Sequence, residues 1–139
     1  MLNLKQREQK SNMRQRPFLI LALILFIAAA LFPFGWLATV WPEFRTVVNF
    51  IFGTQLAHII GHFTIFMLMG TAVLLIFPSL RQRFWLYLGL MLLLGIVQEF
   101  LQIATVKHII PALDELLDLS TDLLGASAAF YFMGIKNRD

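Results

Sequence analysis

Three pairs of polar side chains interrupt the apolar stretches of this chain, and their chemistry has to be accounted for first. His58 and His62 are four residues apart, Glu99 and Gln102 three, and Asp118 and Asp122 four. In a helix, either spacing puts both members of a pair on one face. Two imidazoles at i, i+4 suit a metal such as zinc, with Glu99, Asp118 or Asp122 available to complete the site. The same imidazoles serve equally as hydrogen-bonding groups between helices, and no HExxH motif accompanies them. The acids suit general acid–base chemistry on a lipid-linked phosphate or amide, with Glu99 and Asp118 as candidate bases. Their alternative is a structural polar network.

The elements that must carry these pairs belong to a membrane. Of 139 residues, 59% are hydrophobic and 14% charged, and the mean hydropathy is +0.77. Soluble domains carry about 45–50% apolar and about 25% charged residues. An all-α, polytopic transmembrane helical bundle is therefore expected. About 20 apolar residues cover a hydrocarbon core of about 30 Å, which predicts about four spans, near residues 17–40, 57–77, 84–103 and 118–135. Residues 1–16 form a basic N-terminal segment and 136–139 a polar tail. Pro17 is tolerated at a first helical position, whose N–H has no helical partner, and Pro78 stops the second span. Trp36 and Trp41 sit where interfacial aromatics belong. In the connector after Trp41, the spacing of Phe44, Val47, Val48, Ile51 and Phe52 predicts a short helix lying in the interface. The connector 104–117, with Lys107, His108, Asp114 and Glu115, reads as a loop with solvated charges. A basic head before an apolar run also describes a signal peptide, but this run exceeds the usual h-region of about 7–15 residues, so an uncleaved span is expected. With no cysteine, disulfides, thiolate metal sites and cysteine nucleophiles are excluded.

Charge sets the orientation. With the N-terminus inside, the cytoplasmic segments hold Lys5, Arg7, Lys10, Arg14, Arg16, Arg81, Arg83, Lys136 and Arg138, and the outer ones only Arg45 and Lys107. Lys and Arg near span ends remain cytoplasmic. A multi-pass protein of the plasma or inner membrane with both termini cytoplasmic is expected. Its net charge of +3 marks topology and contact with anionic headgroups, not nucleic-acid binding. In this orientation all three polar pairs lie at one depth in the outer half of the bilayer. A charge there costs at least about 2.5–3.5 kcal/mol, so such groups turn inward and pair. Thr121, Gly125 and Ala129 form a stripe of small residues that lets the last helix approach its neighbours closely.

His62-Phe63, then Gln98-Glu99-x-x-Gln102, then Asp118-Leu-x-x-Asp122-Leu-Leu-Gly125-Ala126 together resemble the VanZ-like family over roughly residues 56–134. The resemblance implies a small bacterial membrane protein, some members of that family being associated with low-level resistance to teicoplanin. Phe66 stands where the family commonly has a tyrosine and Asp122 where it has an asparagine. The family's arginine shortly before the first aspartate has no counterpart nearer than Lys107. The reading that follows is an accessory protein of the cell envelope. Its outward-opening polar pocket, formed by His58, His62, Glu99, Gln102, Asp118 and Asp122, binds a membrane amphiphile such as a cell-wall lipid precursor or lipoglycopeptide, and no cofactor is implied. An intramembrane enzyme acting on a lipid headgroup is the alternative. A small proton-coupled transporter ranks behind both, because no carboxylate, histidine or amine falls in the inner half of any span.

Overall fold

The computed structural model describes the backbone of residues 2–105 and 112–135, and the side chains of 16–51, 53–105 and 113–133. Lys107, His108, the tail 136–139 and the basic side chains before Arg16 lie outside the described residues. The chain is all-α: α1 (Leu2–Ala30), α2 (Phe34–Val40), α3 (Pro42–Phe52), α4 (Gln55–Ile76), a 3₁₀ turn (Pro78–Gln82), α5 (Phe84–Thr105) and α6 (Ala112–Ile135). Helices α4 and α5 are long and apolar enough to cross a membrane, and α1 with α2 makes a third span if that bent pair counts as one. "About four spans" therefore holds only approximately.

Two expected spans differ from what is observed. The first is not a single helix over 17–40. Helix α1 starts at Leu2, extended upstream by Lys, Gln, Arg and Glu, which favour helix. It ends at Ala30, and the α1–α2 pair is bent by 55°. Pro33 supplies the reason, since it brings no N–H and disfavours helical geometry at Phe32 before it. The last span is part of a helix that begins six residues earlier than expected, at Ala112. Asp114 and Glu115 thus sit in a first helical turn rather than a loop, where acids oppose the positive end of the helix dipole. At 1.5 Å per residue α6 is about 36 Å long, but with Asp118 and Asp122 as well it carries four acids and is not apolar in the sense that α4 and α5 are.

Local signals set the remaining boundaries. Thr54 caps α4, its Oγ1 accepting from the Ala57 N–H at 3.2 Å, which fixes His58 in the first turn. Pro78 ends α4, and Arg81 Nε donates to Leu74 O at 3.0 Å, satisfying a last-turn carbonyl. The amphipathic α3 forms as its spacing predicts, opened by Pro42 and closed at Gly53.

The packing inverts the usual pattern of a soluble protein. Large apolar side chains face outward, among them Phe18, Phe50, Trp85 and Leu113. The buried set contains His62, Gln98, Glu99, Asp118, Thr121 and Asp122. Exposed apolar surface on this scale marks a lipid-facing exterior. Inside, Phe66, Met69, Val73 and Leu74 of α4 meet Tyr87 and Met91 of α5, Ala126 of α6 and Leu23 of α1.

Helices α4 and α6 form the centre, lying parallel and in register: residue 58 faces 118, 62 faces 122 and 70 faces 129. Gly125 makes this possible. A Cβ at that position would strike the Phe63 carbonyl oxygen and come within 3.1 Å of Met67 N. Thr121 and Ala129, the other members of the small-residue stripe, are buried at the same seam. Helix α5 runs antiparallel to both and is tied to α6 by the Tyr87 hydroxyl, which donates to Ala126 O at 2.9 Å.

Candidate functional site

The in-register α4–α6 seam brings two imidazole–carboxylate pairs together. His58 Nε2 lies 3.2 Å from Asp118 Oδ2, and His62 Nδ1 lies 2.9 Å from Asp122 Oδ1. With the carboxylates ionised, and therefore only accepting, the imidazole N–H is the donor in each pair. The pairs are adjacent, with ring centroids of His58 and His62 4.5 Å apart. They differ in surroundings. His62 and Asp122 are buried, with Asp122 fully enclosed, whereas the His58 side chain is 37% exposed. Glu99 of α5 completes the inner layer: single ligand-type atoms of His62, Glu99 and Asp122 all lie within 4.8 Å of one another, and the same holds for His58, His62 and Asp118.

Among the described residues, two clefts flank His58. The first, about 260 Å³, is walled by the α1–α2 break (Phe32, Pro33, Phe34, Gly35) on one side. His58 and His62 line its other side, with Gln98 and Gln102. The second, about 340 Å³, lies between the start of α4 and the start of α6 and is lined by Thr54, His58, Asp114 and Asp118 among others. His58 borders both.

All six side chains expected at the site therefore lie at one end of the bundle, but not in one niche. Five form a compact cluster, and Gln102 lies along the first cleft with the histidines. Glu99 and Asp122 line neither cleft and stand behind the histidines. The expectation of a single shared pocket gives way to two clefts separated by the His58–Asp118 pair. Phe66, one turn beyond His62, is fully buried in the core and borders neither of these clefts.

Gln98 is the residue that pair-by-pair reasoning passes over. Sequence spacing groups Glu99 with Gln102 at i, i+3, yet Gln98 and Gln102 at i, i+4 are the pair that shares the cleft face of α5. Glu99 turns about 100° away, toward α6. The glutamine doublet was a readable signal, since a second amide four residues before Gln102 is as unusual in hydrocarbon as the acid beside it. Gly95 is a second such residue. A Cβ there would sit 3.3 Å from Asp122 Oδ2 and 2.8 Å from Leu119 Cδ1, so its hydrogen leaves room for the acid.

Chemically, the arrangement holds two oriented imidazoles beside an amide-lined, otherwise apolar cleft. It can hydrogen-bond a polar headgroup, hold a cation, or present a carboxylate-oriented base. Comparison with known proteins leaves these options open, because no family model, curated protein or solved structure matches this chain.

Proposed function

We propose that this chain is a VanZ-like accessory protein of the cell envelope, lying in the plasma or inner membrane with both termini cytoplasmic. In this reading it binds the polar end of a membrane amphiphile, such as a cell-wall lipid precursor or lipoglycopeptide, in its amide- and imidazole-lined cleft. The observation that carries the reading is the first cleft itself. One wall is apolar and made by a break in a membrane-length segment, and the other presents His58, His62, Gln98 and Gln102. Sites for amphiphiles are concave and mostly apolar, with a few converging polar groups that fix orientation. The proline break is consistent with this, since irregular backbone at membrane depth is tolerated where it is buried in protein or lines a cavity. The nine-to-two distribution of basic residues supports an opening toward the outer leaflet.

The test is teicoplanin susceptibility of cells carrying the wild-type chain, Gln98→Leu, Gln102→Leu or Asp118→Asn at matched membrane abundance. Susceptibility that rises for the variants supports the cleft as the working surface. Equal susceptibility for all four chains removes it.

A second reading, an intramembrane enzyme acting on a lipid headgroup, is favoured by one observation. Each imidazole is held by its own carboxylate, as a general base requires. Mass spectrometry of lipids from cells with and without the protein decides: an altered headgroup species supports the enzyme, and identical lipids leave the binding reading.

A further inference from the structure

The cluster at the α4–α6 seam has a set of ligand-type atoms that the hydrogen bonds between His58 and Asp118 and between His62 and Asp122 do not use up. Three carboxylates (Glu99, Asp118, Asp122) stand with two imidazoles, and among the described residues no lysine or arginine lines either cleft beside them. Asp122 is 0% exposed and its Oδ2 has no hydrogen-bond partner among the described residues. The Oε1 of Gln98, 6% exposed on the wall of the first cleft, has none either. Buried polar atoms without partners are rare in native proteins and often indicate an ion or water. Three carboxylates gathered in a low-dielectric interior favour a cation over an anion as a further partner of the cluster.

The geometry suits a metal ion. Two ligand atoms bound tetrahedrally at about 2.0–2.1 Å from zinc are separated by about 3.3–3.4 Å. His58 Nε2 and Asp118 Oδ2 are 3.2 Å apart, so one ion spans them with little movement by replacing the shared proton. His62 belongs with them, since one ligand-type atom from each of the three residues lies within 4.8 Å of the others. Its Nδ1 is given to Asp122, which leaves the other ring nitrogen to ligate. A carboxylate behind a ligating histidine fixes its ring and raises its basicity, an arrangement that recurs in metal sites.

We propose that His58, His62 and Asp118 form a binding site for one divalent transition-metal ion of the zinc class. Asp122 is the positioning residue behind His62, and the fourth coordination position faces the clefts. Two imidazoles and one carboxylate select this class. Calcium and magnesium prefer six or more oxygen ligands or several retained waters, and the absence of thiolates disfavours copper(I) and iron–sulfur clusters. Three protein ligands with one open position is the pattern of catalytic rather than structural zinc. The inference stands on the ligand geometry and is independent of which amphiphile occupies the cleft.

The experiment uses the full chain without a polyhistidine tag, stripped with a chelator and reconstituted in phosphatidylcholine nanodiscs. Zinc is titrated against a chromophoric competitor, and cobalt is added separately to read its visible d–d absorption. One zinc per chain and an intense four-coordinate cobalt spectrum are expected. His58→Gln and Asp118→Asn should weaken zinc binding at least 100-fold, and Asp122→Asn by about 10–100-fold while keeping a cobalt spectrum. Helicity by circular dichroism and a single gel-filtration peak establish that each variant is folded. His58, being partly exposed, is the variant least able to disturb packing. No saturable zinc binding by the folded wild-type chain overturns the proposal. So does unchanged affinity in both His58→Gln and Asp118→Asn, or a loss confined to Glu99→Gln, which would put the ion in the inner layer. Zinc binding together with unaltered teicoplanin susceptibility would keep the metal site and remove the amphiphile reading.

Discussion

Gly125→Ala adds one methyl group to the chain, in a helix, where alanine is ordinarily the better residue. Here it is expected to be strongly destabilising. The new Cβ would collide with the Phe63 carbonyl oxygen and press on Met67 N at 3.1 Å, both backbone atoms that cannot rotate away. Helices α4 and α6 would have to separate by about 1 Å to restore ordinary contact. That movement would lengthen the His62–Asp122 and His58–Asp118 distances from 2.9 and 3.2 Å to about 4 Å, outside hydrogen-bonding range. Overpacking costs about 1–3 kcal/mol and two interhelical hydrogen bonds in a bilayer about 0.6 kcal/mol each, for a total of about 2–4 kcal/mol. Gly89→Ala provides the control, because a Cβ there meets nothing within 4 Å. It should be neutral, or stabilising by up to about 1 kcal/mol. Detergent-driven unfolding of both variants, followed by loss of helicity, gives the two signs. If Gly125→Ala unfolds at the same point as Gly89→Ala, the close parallel approach of α4 and α6, and the site built on it, is wrong.

Other perturbations follow from the same contacts. His62→Ala removes the only hydrogen-bond partner of the enclosed Asp122 carboxylate among the described residues, which should cost about 3–5 kcal/mol in the same unfolding assay. The double variant His62→Leu with Asp122→Leu should recover most of that loss, and a double variant as unstable as the single would refute the pairing. A Cβ at Gly70 would meet the Tyr87 hydroxyl, so Gly70→Ala should destabilise while Tyr87→Phe relieves it in part. A double-mutant cycle should show coupling of at least about 1 kcal/mol, and additive effects would place Tyr87 elsewhere. A cytoplasm-active reporter fused after Asp139 should be functional if the proposed orientation is right, and a periplasm-active one silent; the reverse result would invert the bundle.

Much of this organisation can be read from residue order alone, because hydrocarbon penalises polarity so heavily. Apolar runs between Gln55 and Thr105 mark two helices within a few residues, and the i, i+4 pairs at 58/62 and 118/122 identify the faces that meet. The small residues at 121, 125 and 129 mark the line of closest approach. Less legible is anything that depends on a bend or on relative rotation between helices. Pro33 announces a break but not that the broken segment becomes a cleft wall. Glu99 and Gln98 are equally improbable in a membrane, and only the rotation of α5 against α6 decides which acts as wall and which as inner layer. The start of α6 is obscured because its acids are both good first-turn residues and good loop residues.

The order in which the cluster is synthesised has its own consequence. Each histidine precedes the aspartate that holds it by 60 residues. At about 5–20 residues per second, a nascent chain carries both imidazoles in the bilayer for about 3–12 s before their acids emerge. A chain interrupted before α6 would present that polar face permanently to lipid or to other helices, a lesion that membrane proteases can recognise. The same separation implies that α6, supplied as a separate peptide, could dock against the preceding helices and restore the cluster without a covalent connection.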